Sequence, residues 1–242
     1  MATDHERRAL VGTAAACAVA AAAGAFSDHA EAQGAPRVKG PRVYHDYDQA
    51  ELDAAYDQAV YAPNARDVQG RMRRLSAEAR KRLGEPKRFA YGPTNIEKLD
   101  VYRTRQPHAP ILIFIHGGSW QGGRSSQFTV YAEPYVKAGA NFVVLDFTSV
   151  KETNGDITPM VEQCRKGVAW VYRNAASHGL DPSRLFVCAR SSGSHLAACV
   201  LTTEWDKQGL PRDILKGAVL GSGMYDLKPV SLSKRSAWVK FT

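Results

Sequence analysis

Four short runs without a polar residue, Ile111–Ile115, 142–145, 185–188 and 218–220, mark the second half of this 242-residue chain. A strand of three to five residues that is apolar on both faces has no side to show water. It belongs inside a sheet with helices packed on both surfaces. The segments between the runs read as helices. The clearest starts at Thr158-Pro159, places Val161, Cys164, Val168, Val171, Tyr172 and Ala175 on one stripe, and is closed by Gly179. Strand, helix and strand in repeated alternation specify an α/β fold with a mostly parallel, doubly wound sheet.

Before this region the texture differs. Residues 88–91 and Lys98–Tyr102 alternate polar and apolar around the turn Gly92-Pro93 and read as two edge strands. Residues 47–61 read as one helix stopped at Pro63, 66–83 as a second, and 36–41 as a tether. The expected organisation is a leader over 1–32, a tether and helical cap over 33–86, and the sheet domain over 87–242.

The leader contains thirteen alanines and an uncharged stretch, 9–26, between Arg7-Arg8 and Ala30-Glu31-Ala32. A basic start, an apolar middle and an Ala-x-Ala end predict an export signal cleaved after Ala32. The arginine pair and the weakly hydrophobic, Ala-rich middle favour the twin-arginine route and a periplasmic destination. Alanine contributes too little transfer energy for the stretch to serve as a stable membrane anchor.

Composition narrows the function classes. With 44% hydrophobic and 23% charged residues the chain is globular, and its four cysteines form neither a disulfide framework nor a Cys-x-x-Cys metal spacing. Residues 33–242 carry a balance of +10, concentrated at Arg71, Arg73, Arg74, Arg80, Lys81, Arg82, Lys87 and Arg88. Met72, Leu75, Ala79 and Leu83 recur there at helical spacing, which describes an amphipathic helix with a solvated basic face. Without interleaved aromatics or a recognition motif, it does not read as a nucleic-acid surface.

The chemistry is expected where strands hand over to helices, at the carboxyl edge of the sheet. Directly after Ile111–Ile115 comes His116-Gly117-Gly118-Ser119-Trp120, where adjacent glycines let amide N–H groups turn toward one point, as an oxyanion requires. Directly after residues 185–188 comes Ala189-Arg190-Ser191-Ser192-Gly193-Ser194-His195, leading into an apolar helix. A sharp turn there lifts Ser191 above the sheet as a nucleophile, while Gly193 lets strand and helix close. The N–H of Ser192 joins that of Gly117 or Gly118 in the oxyanion hole.

These residues resemble the α/β-hydrolase superfamily, in its kynurenine formamidase-like and carboxylesterase branch. The resemblance also rests on residues 167–175 and on Ser222-Gly223-Met224-Tyr225-Asp226-Leu227, and extends from about residue 46 to the end. It implies cofactor- and metal-free hydrolysis of a small-molecule ester or formamide, with Trp120 packed behind the oxyanion loop and His116 and Gly193 in support. The elbow departs from the family's usual Gly-His-Ser. Arg190 sets a cation beside the nucleophile, where it either lowers the Ser191 pKa or obstructs the acyl pocket.

In this family the triad acid and histidine follow the serine. Beyond Ser191 there is one histidine, His195, a turn along the same helix and read as a packing residue, while Asp226 comes one strand too early for the triad acid. The expectation is therefore a fragment lacking triad acid and base, inactive alone, with residues 218–220 as an unprotected sheet edge. The alternative is a non-catalytic remnant or binding protein on the same fold. Ser231-Leu232-Ser233-Lys234 matches a Ser-x-x-Lys pattern without its partner motifs and reads as chance.

Overall fold

The computed structural model describes residues 38–241, so the predicted export signal lies outside the described residues. Residues 38–40 have no regular structure, and Pro41 onward forms one compact unit. It opens with a small hairpin of β1 (Arg42–Tyr44) and β2 (Tyr47–Asp48), followed by α1 (Gln49–Ala55), α2 (Gln58–Tyr61) and α3 (Ala65–Leu83). The single helix expected over 47–61 is thus a strand and two short helices. Two aspartates divide it: Asp48 caps α1 in a reciprocal capping box with Glu51, and Asp57 caps α2 through the Ala59 N–H.

The central sheet comprises β3 (Lys87–Ala90), β4 (Lys98–Tyr102), β5 (Ile111–Ile115), β6 (Asn141–Leu145), β7 (Leu185–Arg190) and β8 (Leu215–Gly221). Their spatial order is β3-β4-β6-β5-β7-β8. The last four run parallel, while β4 is antiparallel to both β3 and β6. The connecting helices are α4 (Thr129–Lys137), α5 (Thr158–Asn174) and α6 (Ser192–Leu201), with α7 (Lys228–Leu232) after the last strand. This is the mostly parallel, helix-flanked sheet expected from the apolar runs.

Alternation along the strands explains why those runs have no polar interruption. Ile111, Ile113, Ile115, Val143, Leu145, Leu185 and Val187 share one core with Val161, Cys164 and Val168 of α5 and Leu196 and Val200 of α6. Phe114, Phe142, Val144 and Cys188 face the other way, against Ala132 of α4 and Leu83 of α3. Along β5, β6 and β7 both faces are dry, so both must be apolar, whereas Ala218 and Val219 of β8 are exposed. One expectation fails here: β4 is not an edge strand. It pairs on both sides, and its one acid, Asp100, is 1% exposed because Arg88 on β3 reaches it. At the opposite margin β8 pairs, among the described residues, only with β7, and Val219 is exposed.

The strand order places the site. From β5 the chain moves outward to β6 on one side, and β7 and β8 add on the other, so the order reverses beside β5. Loops diverge at such a point and leave a crevice beyond the strand ends. Ile115 and Ala189 are register partners, so the loop after β5 and the turn after β7 stand side by side above that crevice.

Candidate active site

Ser191 holds φ 56° and ψ −133° at the junction of β7 and α6. Residues with a Cβ rarely adopt this conformation, and surrounding bonds must enforce it. The Ser191 N–H donates to the Gly221 carbonyl at 2.8 Å, and the Ser194 hydroxyl donates to the same carbonyl at 2.9 Å. The end of β8 thereby pins the turn. Gly193 closes it from below, since a Cβ there would lie 2.3 Å from the Ile115 carbonyl oxygen and 2.4 Å from that of His116. The Ser191 hydroxyl has no hydrogen-bond partner among the described residues.

The loop after β5 touches this turn through backbone. A Cβ on Gly117 would sit 2.6 Å from the Arg190 carbonyl and 2.9 Å from the Ser191 Cβ, so only glycine lets the two segments meet. Gly118, Ser119 and Trp120 all have positive φ, and the Trp120 N–H donates to the Ser192 hydroxyl at 3.2 Å. The amides of Gly118 and Ser192 donate no hydrogen bond to other described residues. Trp120 is buried, edge-on to His195 at 5.8 Å and to Phe241 at 5.5 Å.

Neither nearby histidine is disposed as a base. The His195 ring lies under the turn, with Nε2 against the Cys199 sulfur at 3.8 Å. His116 is stacked between Phe128 and Phe147, its Nδ1 2.9 Å from the Gly117 carbonyl oxygen and its Nε2 without a partner. Burial pushes the His116 pKa down to about 4. Asp226 is exposed and accepts hydrogen bonds from the Tyr44 hydroxyl and the Lys228 N–H.

The His116 shift has a measurable consequence. Between its ordinary pKa near 6.5 and the folded value near 4, the unfolded chain binds the proton and the folded chain does not. Stability contributed by the neutral ring is therefore full above pH 6.5 and lost as pH falls toward 4, by up to about 3 kcal/mol. Urea unfolding at pH 7 and pH 4.5 should show a larger acid-side loss for the wild type than for His116→Gln. Equal losses would mean that His116 is protonated in the folded protein.

Two supports of the loop have little trace in the sequence. Arg235, buried although charged, donates to the Tyr56 carbonyl through Nε at 3.2 Å and a terminal nitrogen at 3.0 Å, and to the Ser119 hydroxyl at 3.3 Å. It ties the end of α1 to the loop beside Ser191. On the other side, Asp146 and Asp100, both buried, accept bonds from Arg88 at 2.5 and 2.6 Å, and the Ser125 N–H donates to Asp146 at 2.6 Å. That cluster fastens the far end of the loop to the middle of β4 and the end of β6. The facing of Arg88 and Asp100 across the β3–β4 hairpin is its one sequence signal.

Above the turn is a cleft of about 780 Å³, with Gly117, Gly118, Ser119 and Ser191 on one side and Val68 and Met72 of α3, Phe128 and Tyr131 around it. On the basic face of α3, Arg71, Arg73, Arg74, Lys81 and Arg82 are exposed as expected, while Arg80 pairs with Glu85, Arg82 with Glu133, and Arg73 borders the cleft. Among the described residues no group of three or more His, Cys, Asp or Glu side chains is arranged to hold a metal.

A family model, BD-FAE, matches residues 99–221, from β4 to the end of β8 and including both loops. The chain belongs to the BD-FAE family. Within that segment lie the sheet's reversal point and every backbone contact between the Gly117 loop and the Ser191 turn. The BD-FAE chain is 39% identical over 142 residues to kynurenine formamidase of Danio rerio, covering 58% of this chain and 46% of that one. It is 26% identical over 122 residues to an isoprenylcysteine alpha-carbonyl methylesterase of Arabidopsis thaliana, covering 50% and 28%. The chain thus spans about half or less of the length of these curated relatives. A crystal structure from Silicibacter sp. tm1040, assigned as a thioesterase, superposes with a TM-score of 0.66 at 23% identity over 79% of this chain and 71% of that one. At that identity the likeness shows the fold alone. The chain has the α/β-hydrolase fold, and the curated relatives that it resembles include a formamidase and a methylesterase.

Proposed function

We propose that this protein is a serine hydrolase acting on carboxylic esters or formamides, with Ser191 as nucleophile. The observation that carries the reading is the enforced backbone of Ser191, φ 56° at a strand-to-helix turn, in backbone contact with a glycine loop, with the amides of Gly118 and Ser192 donating to no other described residue. A strained serine held in one orientation is pre-organised for attack. The Ser191 Oγ adds to the carbonyl carbon, and the oxygen that gains the electron pair is held by the amides of Ser192 and Gly118 or Gly117. Collapse breaks the C–O or C–N bond, the alcohol or amine leaves with a proton, and water then releases the acid from Ser191.

No described side chain stands as general base beside Ser191, and loss of a triad member costs on the order of 10⁴ to 10⁶ in turnover. On this reading the missing base slows acylation as well as deacylation, and what remains is the rate that the oxyanion hole and binding supply, about 10³–10⁴ over water. The competing reading is a binding protein on this fold. Single-turnover assays of the full chain with p-nitrophenyl acetate and N-formylaniline separate the two. The proposal expects one equivalent of nitrophenolate or aniline per chain above the buffer blank with at least one substrate, and none from either would overturn it.

A further inference from the structure

We propose that the cleft selects substrates with an apolar body and a negatively charged group, a carboxylate, read by Arg190 and Arg73. This rests on the hydrolase reading of Ser191 for the identity of the cleft, but its electrostatics stand independently. Arg190 adjoins Ser191 and is exposed, and Arg73 projects from α3, so the two cations border one cleft from different elements. Neither guanidinium has a hydrogen-bond or ion-pair partner among the described residues. The other arginines facing inward are engaged, with Arg88 on Asp100 and Asp146 and Arg235 on Tyr56 and Ser119.

The cleft's remaining polar residues include the amides Gln58, Asn64, Gln69, Gln121 and Gln127, and among the described residues no aspartate or glutamate lines it. Its charge is thus two positive groups without compensation. Low-dielectric walls at Met72, Phe128 and Tyr131 focus that field and offer an apolar surface for the rest of the ligand. A guanidinium matches a carboxylate in shape as well as in charge. The missing acid has a second consequence: a zwitterionic amino acid gains at its carboxylate but finds no counter-charge for its ammonium. The cleft favours a simple anion over both a neutral ligand and a zwitterion.

Three ligands of one shape test this directly. The full chain is titrated at low salt with phenylacetate, phenylacetamide and phenylalanine, with NMR chemical shifts as the readout of binding. Phenylacetate is expected to bind about tenfold more tightly than phenylacetamide, with phenylalanine no tighter than the amide. In about 0.5 M NaCl the advantage shrinks, because screening then acts within several ångströms. Arg190→Gln and Arg73→Gln, both at exposed positions, each reduce the ratio of the phenylacetate to phenylacetamide affinities. Equal affinities for acid and amide, or a ratio unmoved in both variants, would overturn the proposal. Because the titration needs no chemistry, that failure is separate from a failure of Ser191 to acylate.

Discussion

Ser191→Gly is expected to yield a protein that is more stable than the wild type and no longer acylated at position 191. Serine at φ 56° and ψ −133° occupies a region open mainly to glycine, at a cost of about 1–3 kcal/mol. Glycine removes that strain but loosens the unfolded chain by about 0.5–1 kcal/mol, leaving a net gain of about 1 kcal/mol. For a chain of this size that is about 2–4 °C in Tm. Ser191→Ala keeps the Cβ and hence the strain, so its stability should stay within about 0.5 kcal/mol of wild type while acylation is lost equally. Unfolding midpoints of the three proteins read the difference. A glycine variant less stable than the alanine variant would mean that the turn is relaxed and that its shape does not prepare the serine.

The second large effect lies two residues on. Gly193→Ala forces a Cβ to within 2.4 Å of two main-chain oxygens, those of Ile115 and His116, and neither belongs to a flexible side chain. The start of α6 must then move off the end of β5. Overpacking ordinarily costs about 1–3 kcal/mol, and a clash against backbone on both sides of one atom should reach or exceed the upper figure. The shift carries Ser191 and the Ser192 amide away from the Gly117 loop, so acylation should fall along with stability. Comparison of urea midpoints and acylation rates checks both at once. An alanine variant with wild-type stability would show that strand and helix stand further apart than the contacts indicate.

The contrast between these residues and their supports shows what a sequence of this kind discloses. The parallel strands were legible because burial on both faces leaves uninterrupted apolar runs, and the elbow because its small residues stand together directly after an apolar run, although the contacts that require Gly117 and Gly193 join segments more than seventy residues apart. β4 was misread as an edge because Asp100 looks solvent-facing until Arg88, twelve residues away, is known to cover it. Residues 47–61 were misread because local capping by Asp48 and Asp57 overrode a continuous apolar spacing. Arg235 was invisible altogether: its partners Tyr56 and Ser119 lie 179 and 116 positions away, and nothing local marks a buried arginine. The uncompensated cleft has the same origin, since Arg73 and Arg190 are 117 positions apart and come to border one cleft only in the folded chain.

The most direct test of the central claim is the position at which the folded full chain reacts with a fluorophosphonate, mapped by peptide mass spectrometry. The account predicts a single adduct on Ser191, absent from both Ser191→Ala and Ser191→Gly. An adduct on another residue, or labelling of the wild type that matches the two variants, would contradict it.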